Sequence, residues 1–388
     1  MKLKLLVFSF LSSFLFSNAQ VTLAPDAEIS VLTIGPGTML NDAFGHSAFR
    51  VKDKAFNRDL VFDYGRFDFD TPSFYLEFAQ GKLNYKIGLS YYKDFYANYV
   101  AQQRSIKEQV LNLNQEERQA LFDFLTNNIK PENKYYLYDF FYDNCATKIK
   151  DVVNVVTNNN VTYHTPENFQ QETFRALIQN ELNYNSWGSV GIDIALGSII
   201  DKKATPEDHM FLPKNIHSFF SSATFKNDSS KLIKEEKLIF DAPKKDNKST
   251  FITSPLFVFL ILSLGILFIT YKDKKTNTKS TYLDIFIFTI TGLIGIGLLL
   301  LWFATNHTAT GFNYNLLWAF ALNIFVIKQV LSKTPKQWFI KYLKLLVIML
   351  CLMTLHWTIG VQVFAPALIP LLVALMVRYL YLISYYNK

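Results

Sequence analysis

The sequence predicts two unlike domains in one chain: an exported α+β domain, then an all-α domain of five membrane-spanning helices. Three observations predict this. The composition breaks near Lys248, with mixed polar sequence before it and very apolar sequence after it. The chain opens as a secretory signal: Lys2 and Lys4, an apolar run at 5–16, then Ser17, Asn18 and Ala19 as a small-residue cleavage site. Strand-like alternation dominates the first part of the exported half, and helix-period patterns interrupt it later. The expected division is a signal peptide at 1–19, an exported domain at 20–220, a linker at 221–250 and a transmembrane domain at 251–388.

The net charge of +7 does not indicate nucleic-acid binding, because the basic excess lies mainly in the membrane half. Residues 27–35 read as a strand closed by Pro36-Gly37. Phe44-Gly45-His46-Ser47-Ala48-Phe49-Arg50-Val51 reads as a second strand with His46 at its start. Leu60-Val61-Phe62-Asp63-Tyr64-Gly65 reads as its hairpin partner. Residues 66–90 hold many aromatics, which serve as core or line an apolar groove. Asn114-Gln115-Glu116-Glu117 resembles a capping box and opens a helix to about 128. An aromatic strand-like run then ends at Asp143-Asn144. A helix begins at Cys145, with Ile149, Val152, Val153 and Val156 on one face. A further helix is expected at about 171–182, loops and short elements at 187–216, and a linker at 221–250 with one short strand at 238–240.

Five apolar spans follow at about 252–271, 283–304, 314–331, 342–358 and 361–383, each near the length that crosses a bilayer. Lysines crowd the loop after the first span and flank the one after the third. The loops at 305–313 and 358–361 carry no Lys or Arg. The positive-inside rule then places the C-terminus in the cytoplasm and the 305–313 loop on the side of the exported domain.

The chain has two cysteines. Cys351 lies in an apolar span and Cys145 in the exported half, so they are not expected to pair. A lone thiol in an oxidising compartment marks a reactive group. Cys145 sits at a strand-to-helix junction, where free N–H groups and the helix dipole favour a thiolate. Its own N–H is placed to hold an oxyanion. The ordinary alternative is a buried structural cysteine. Among His46, His164, His209 and His217, His46 is preferred as base because it sits on a turn-to-strand mount. Asp63 on the partner strand would orient it, with Asp139, Asp143 and Asn144 as rivals. Neither CxxC nor HExxH occurs, so no metal and no cofactor are expected. The polar loop with His307, Asn313 and Asn315, near His356, Trp357 and Gln362, is either interfacial anchoring or a notch for a lipid head group.

Several of these motifs are similar to those of the Lnb family, membrane proteins of Gram-negative bacteria. They are Phe44-Gly45-His46-Ser47-Ala48-Phe49-Arg50-Val51, Asp63-Tyr64-Gly65 with Phe67-Asp68-Phe69-Asp70-Thr71-Pro72, and Tyr135-Tyr136-Leu137-Tyr138-Asp139-Phe140-Phe141-Tyr142-Asp143-Asn144-Cys145-Ala146-Thr147. Gly197-Ser198 with Asp201, Phe211-Leu212-Pro213, and His307 with Asn313 and Asn315 extend the resemblance over nearly the whole mature chain. It implies a multi-pass protein of the bacterial inner membrane whose periplasmic domain has a permuted papain-like fold of the NlpC/P60 type. The implied activity is lipoprotein N-acylation. A phospholipid gives an acyl chain to a cysteine, and the thioester passes it to the amino terminus of a diacylated lipoprotein. By that match Cys145 is the nucleophile, His46 the base and Asp63 the third member. Asn144, His307, Asn313 and Asn315 are the candidate substrate-binding residues. The alternatives are an NlpC/P60-like cysteine peptidase or amidase acting on cell-wall peptides, and a non-catalytic receptor in which Cys145 is structural.

Overall fold

The computed structural model describes residues 21–67, 73–82, 84–243 and 251–387. The signal segment at 1–19, the motif residues at 68–72 and the polar stretch at 244–250 lie outside the described residues. The exported half is built on an antiparallel sheet. Its strands are β1 (Glu28–Ile34), β2 (His46–Asp53), β3 (Arg58–Arg66), β4 (Asn84–Tyr91), β5 (Ile106–Leu111) and β6 (Tyr135–Leu137), and later β9 (Ile233–Phe240). Their order is β6-β4-β3-β2-β1-β5-β9, seven strands among the described residues. Two short strands, β7 (Val161–Thr162) and β8 (Thr224–Phe225), pair separately.

Helices cover both faces of this sheet. They are α1 (Phe74–Ala79), α2 (Tyr92–Ala101), α3 (Gln115–Asn128), α4 (Cys145–Val156), α5 (Phe174–Gln179), α6 (Trp187–Ala195) and α7 (Pro213–Ser222). Successive strand residues point to opposite faces, and the core divides accordingly. Val31, Phe49 and Phe62 pack with Leu121 and Leu125 of α3, Ile149 and Val153 of α4, and Ile216 of α7. Leu32, Ala48 and Val61 pack with Phe95 and the tyrosines of α2.

The structure corrects several local expectations. The strand before Cys145 ends at Leu137 and not at Asp143. From there the chain makes a tight turn in which Asp139 and Asp143 exchange backbone hydrogen bonds of 3.0 and 3.1 Å. Within 187–216, expected as loops and short elements, residues 187–195 form the nine-residue α6, which Ser186 caps by accepting from the Ser189 N–H. The helix expected at 171–182 is shorter, starting only after the Thr173 cap. Most of the expected linker belongs to the domain, since β9 pairs along the whole of β5. Its charged run Lys234-Glu235-Glu236-Lys237 read as a linker, yet that polarity is what a solvated edge strand carries.

Five segments of the second half are long and apolar enough to cross a membrane. Four contain continuous helices: α8 (Pro255–Thr276), α9 (Thr281–Phe303), α11 (Gln337–Thr358) and α12 (Ile369–Tyr386). The third, at 314–331, is broken. Two 3-10 segments, Tyr314–Leu317 and Ala321–Val326, precede a short α10 (Ile327–Leu331). Irregular backbone survives at membrane depth only where protein surrounds it. Here Gly292 and Gly295 of α9 let it approach: a Cβ on Gly295 would lie 2.2 Å from the Ala319 carbonyl oxygen. Asn323, fully buried, donates to Thr291 Oγ1 (2.8 Å) and accepts from the Tyr342 hydroxyl (2.6 Å).

The two halves are fastened by backbone. The N–H groups of Gly197 and Ser198 donate to the carbonyls of Ala309 and Phe312, and the Asn306 N–H donates to the Gln80 carbonyl. A Cβ on Gly197 would overlap the Gly311 carbonyl. Buried Arg175 holds Asp193 (3.0 Å) and Asp201 (2.9 Å), and Asp201 accepts from the Val363 N–H at 3.1 Å.

Candidate active site

Asn144 starts the site. Its Oδ1 accepts from the N–H groups of Ala146 (2.8 Å) and Thr147 (3.0 Å), and its Nδ2 donates to the carbonyls of Phe140 and Phe211. Thr147 Oγ1 accepts from the Asn144 N–H in return. This double cap fixes the first turn of α4 and therefore Cys145. It also exhausts the Asn144 side chain, so this residue positions Cys145 and has no group left for substrate. Among the described residues the Cys145 N–H has no acceptor, and it lies at the positive end of the helix.

The β1–β2–β3 register brings the partners together. Ile34 faces His46, and Ala48 faces Asp63, so His46 and Asp63 are diagonal neighbours on one side of the hairpin. Nε2 of His46 lies 3.3 Å from Oδ2 of Asp63. The imidazole stands beside the Cys145 thiol, and each favours the charged form of the other. Gly45 permits the approach to His46: its φ is +83°, and a Cβ there would stand 2.7 Å from the Ile34 carbonyl oxygen.

Asp63 has a second partner that sequence reading missed. Arg66 Nε donates to both carboxylate oxygens at 2.9 and 3.0 Å, and its Nη2 reaches Ser90 Oγ at 2.6 Å. The fold-back requires the register shift between Asp63 and Arg66, with Gly65 at φ +91°. It also requires Gly88 across the ladder, where any Cβ would overlap the guanidinium. The only signal in the sequence was the spacing Asp-x-Gly-Arg.

The electrostatics are those of an ion pair. Burial would lower the His46 imidazole, but the Cys145 thiolate and the bond to Asp63 outweigh it and hold it well above its ordinary value. Burial would raise the Cys145 thiol, but the charge of His46, its hydrogen bond and the Ser47 N–H bring it below its ordinary value. Burial opposes ionisation of Asp63 too, yet His46 and Arg66 keep its carboxyl below the usual range. These directions agree with one another: each partner favours the charged form of the next.

The rivals are occupied elsewhere. Asp139 accepts from the N–H groups of Phe141 and Tyr142 and from Thr308 Oγ1 at 2.6 Å. Asp143 pairs with Lys148 at 2.6 Å. His164 bonds Thr224, and His209 bonds Thr205 and Glu172. His217 lies in α7, where its carbonyl accepts from Gln109. Beside the thiol, the Tyr136 hydroxyl is buried with no hydrogen-bond partner among the described residues. It and the Cys145 Cβ flank Gly65, 4.0 and 3.8 Å from where a Cβ would stand.

Cys145 and His46 open into a cavity of about 580 Å³ lined mostly by apolar side chains, including Leu40, Phe44, Phe78, Phe140 and Phe211. Its remaining wall comes from the membrane half, residues 306–309, so His307 does line it. Asn313 and Asn315 do not. Both are buried, and their amides donate to the last carbonyls of α6: Asn313 to Ile194 and Ala195, Asn315 to Asp193 and Ile194. They fasten α6 to the third span and are corrected here from substrate-binding to structural residues. Among the described residues no group of His, Cys, Asp and Glu is arranged to hold a metal ion.

No curated protein and no solved structure matches the chain. Two family models do. The Lnb N-terminal periplasmic domain matches residues 16–180, and the Lnb transmembrane domain matches residues 245–388. With an α+β domain carrying the Cys145 site and five apolar spans behind it, the chain belongs to the Lnb family, as a multi-pass membrane protein with a periplasmic N-terminal domain.

Proposed function

We propose that this protein is a lipoprotein N-acyltransferase working through a Cys145 thioester. Family membership supports a membrane enzyme that modifies lipoproteins. The observation that carries the finer reading is the placement of a thiol with lowered pKa, beside His46 with its raised one, in an apolar cavity walled in part by the 306–309 loop between two spans. An apolar cavity of this size suits an acyl chain better than a cell-wall peptide.

The cycle has two halves. The Cys145 thiolate attacks an ester carbonyl of a phospholipid. The Cys145 N–H and the Tyr136 hydroxyl are the donors available to the developing oxyanion. The lysophospholipid leaves as its alkoxide takes the His46 proton, and a thioester remains. The amino group of a diacylated lipoprotein then attacks the thioester, His46 takes the proton it sheds, and the thiolate departs. Asp63 holds the imidazole throughout. In this reading the C-terminus lies in the cytoplasm of a Gram-negative cell.

The test is intact mass of the purified protein after incubation with phospholipid. A fatty-acyl increment is expected on the wild type, removed by hydroxylamine and absent from Cys145→Ser. A folded protein that gains no increment, even after rapid quenching, sinks the proposal.

A further inference from the structure

The cavity opens between two exposed apolar lips. One is Met39 and Leu40, in the loop between β1 and β2. The other is α1, with Tyr75, Leu76 and Phe78. Leu40 and Phe78 also line the cavity. Met39 is 66% exposed, Leu76 59% and Tyr75 81%, which is costly for side chains of this size if they face water.

Each lip meets a segment that adjoins the outer end of a span. A Cβ on Gly188, in the first turn of α6, would lie 2.9 Å from Leu40 Cδ1. The adjacent Trp187 donates to the Thr253 carbonyl just ahead of α8 and packs edge-on against Phe259. On the other side, the Asn306 N–H donates to the Gln80 carbonyl at 2.8 Å, and a Cβ on Gly81 would lie 2.6 Å from the His307 nitrogen. Asn306 follows the end of α9 by three residues. The start of α8 and the end of α9 lie on the same side of the membrane. Phe251 and Ile252 just ahead of α8, Phe303 at the end of α9 and Phe312 just ahead of the third span are exposed too, at span ends where interfacial side chains sit.

We propose that these two lips enter the leaflet facing the catalytic domain and form a lateral portal. Through it a phospholipid acyl chain passes from the bilayer plane to Cys145 without crossing water. The occupant is lipid, because the lips continue the surface of the spans and sit at their outer ends. An interfacial apolar segment of this kind lies about 5–10 Å into the headgroup and acyl boundary. The portal's purpose rests on the acyltransferase reading, but its position in the membrane can be measured without it.

The experiment uses the full chain in phosphatidylcholine vesicles. In a Cys145→Ser, Cys351→Ser background, Met39→Cys, Leu76→Cys and Asp228→Cys each carry an environment-sensitive fluorophore. Asp228 is exposed in the turn after β8, near the end of α4 away from Cys145, about 18 Å along the helix. Lipids brominated at acyl carbons 6 and 7 are expected to quench sites 39 and 76 at least twofold and to leave site 228 unchanged. Equal quenching at all three sites, or none at 39 and 76, overturns the portal. A second arm combines Met39→Glu with Leu76→Glu in the otherwise native chain. Acyl-enzyme formation from vesicle phospholipid should slow at least tenfold while iodoacetamide alkylates Cys145 as before; an unchanged acylation rate overturns the portal. If the native protein takes no acyl group at all, the acyltransferase reading fails and the quenching arm still decides the portal.

Discussion

Oδ2 of Asp63 lies 3.3 Å from Nε2 of His46, and Arg66 grips the same carboxylate from the other side. The carboxylate is therefore fixed in direction and charge, and it fixes the imidazole in turn. Asp63→Asn keeps the shape but loses the charge, and leaves the Arg66 guanidinium without its counter-charge. Acyl transfer is expected to fall by roughly 10²-fold or more, with KM for phospholipid little changed. A fall confined to KM would place Asp63 in binding instead.

The Cys145–His46 pair sets a pH profile. The thiol lies below its ordinary value because His46 is charged beside it. Its alkylation rate with iodoacetamide should thus be half-maximal below about 8.5, the ordinary thiol value, and decline only as pH falls through the lowered pKa. His46→Asn removes the charge and leaves the burial, which raises the thiol against the Ser47 N–H. The half-maximal pH should then move to 8.5 or above. An unmoved midpoint would show that the helix terminus, not His46, lowers the thiol.

Asn144→Ala removes a helix cap and strips two buried carbonyls of their donor. The cap contributes about 1 kcal/mol and the orphaned acceptors about 1–3 kcal/mol, so a loss of roughly 2–4 kcal/mol is expected by denaturant unfolding. Thr147→Val, which loses one hydrogen bond of the box, should cost about 1 kcal/mol.

The Tyr136 hydroxyl, buried without a hydrogen-bond partner among the described residues, contributes nothing to folding that its removal would forfeit. Tyr136→Phe should leave the melting temperature unchanged or slightly higher. If the hydroxyl meets the oxyanion, acyl-enzyme formation should fall by about 10-fold to 10²-fold. An unaltered rate would remove Tyr136 from the mechanism.

In the membrane half, Arg378 is fully buried between Asp273 (2.7 Å) and Asp284 (2.6 Å), joining α8, α9 and α12. Arg378→Met leaves two buried carboxylates facing each other and should destabilise the protein by about 3–5 kcal/mol. Adding Asp273→Asn and Asp284→Asn removes those charges and should restore part of the loss. Thermal unfolding of the three proteins in nanodiscs reads the comparison.

The sequence alone determined the two-part architecture, the five spans and the position of Cys145 at a helix start. These are local properties: hydropathy over a window, a capping pattern, a helix period beginning at one residue. It also named His46 and Asp63, because a short hairpin fixes which residues share a side. The tertiary structure decided the rest. Arg66 on Asp63 depends on a bulge and on Gly88 in another strand. Asn313 and Asn315 looked like a polar notch, but their partners are α6 carbonyls some 120 positions away. The third span read as a helix because its apolar content is right. Its broken form follows from Gly292 and Gly295 of a neighbouring helix and from the buried bonds of Asn323. The edge strand β9 read as a linker because its charges face water. Each departure has one physical cause. Hydrogen bonds and close backbone approaches between distant segments leave no periodic trace in either segment, so only folding reveals them.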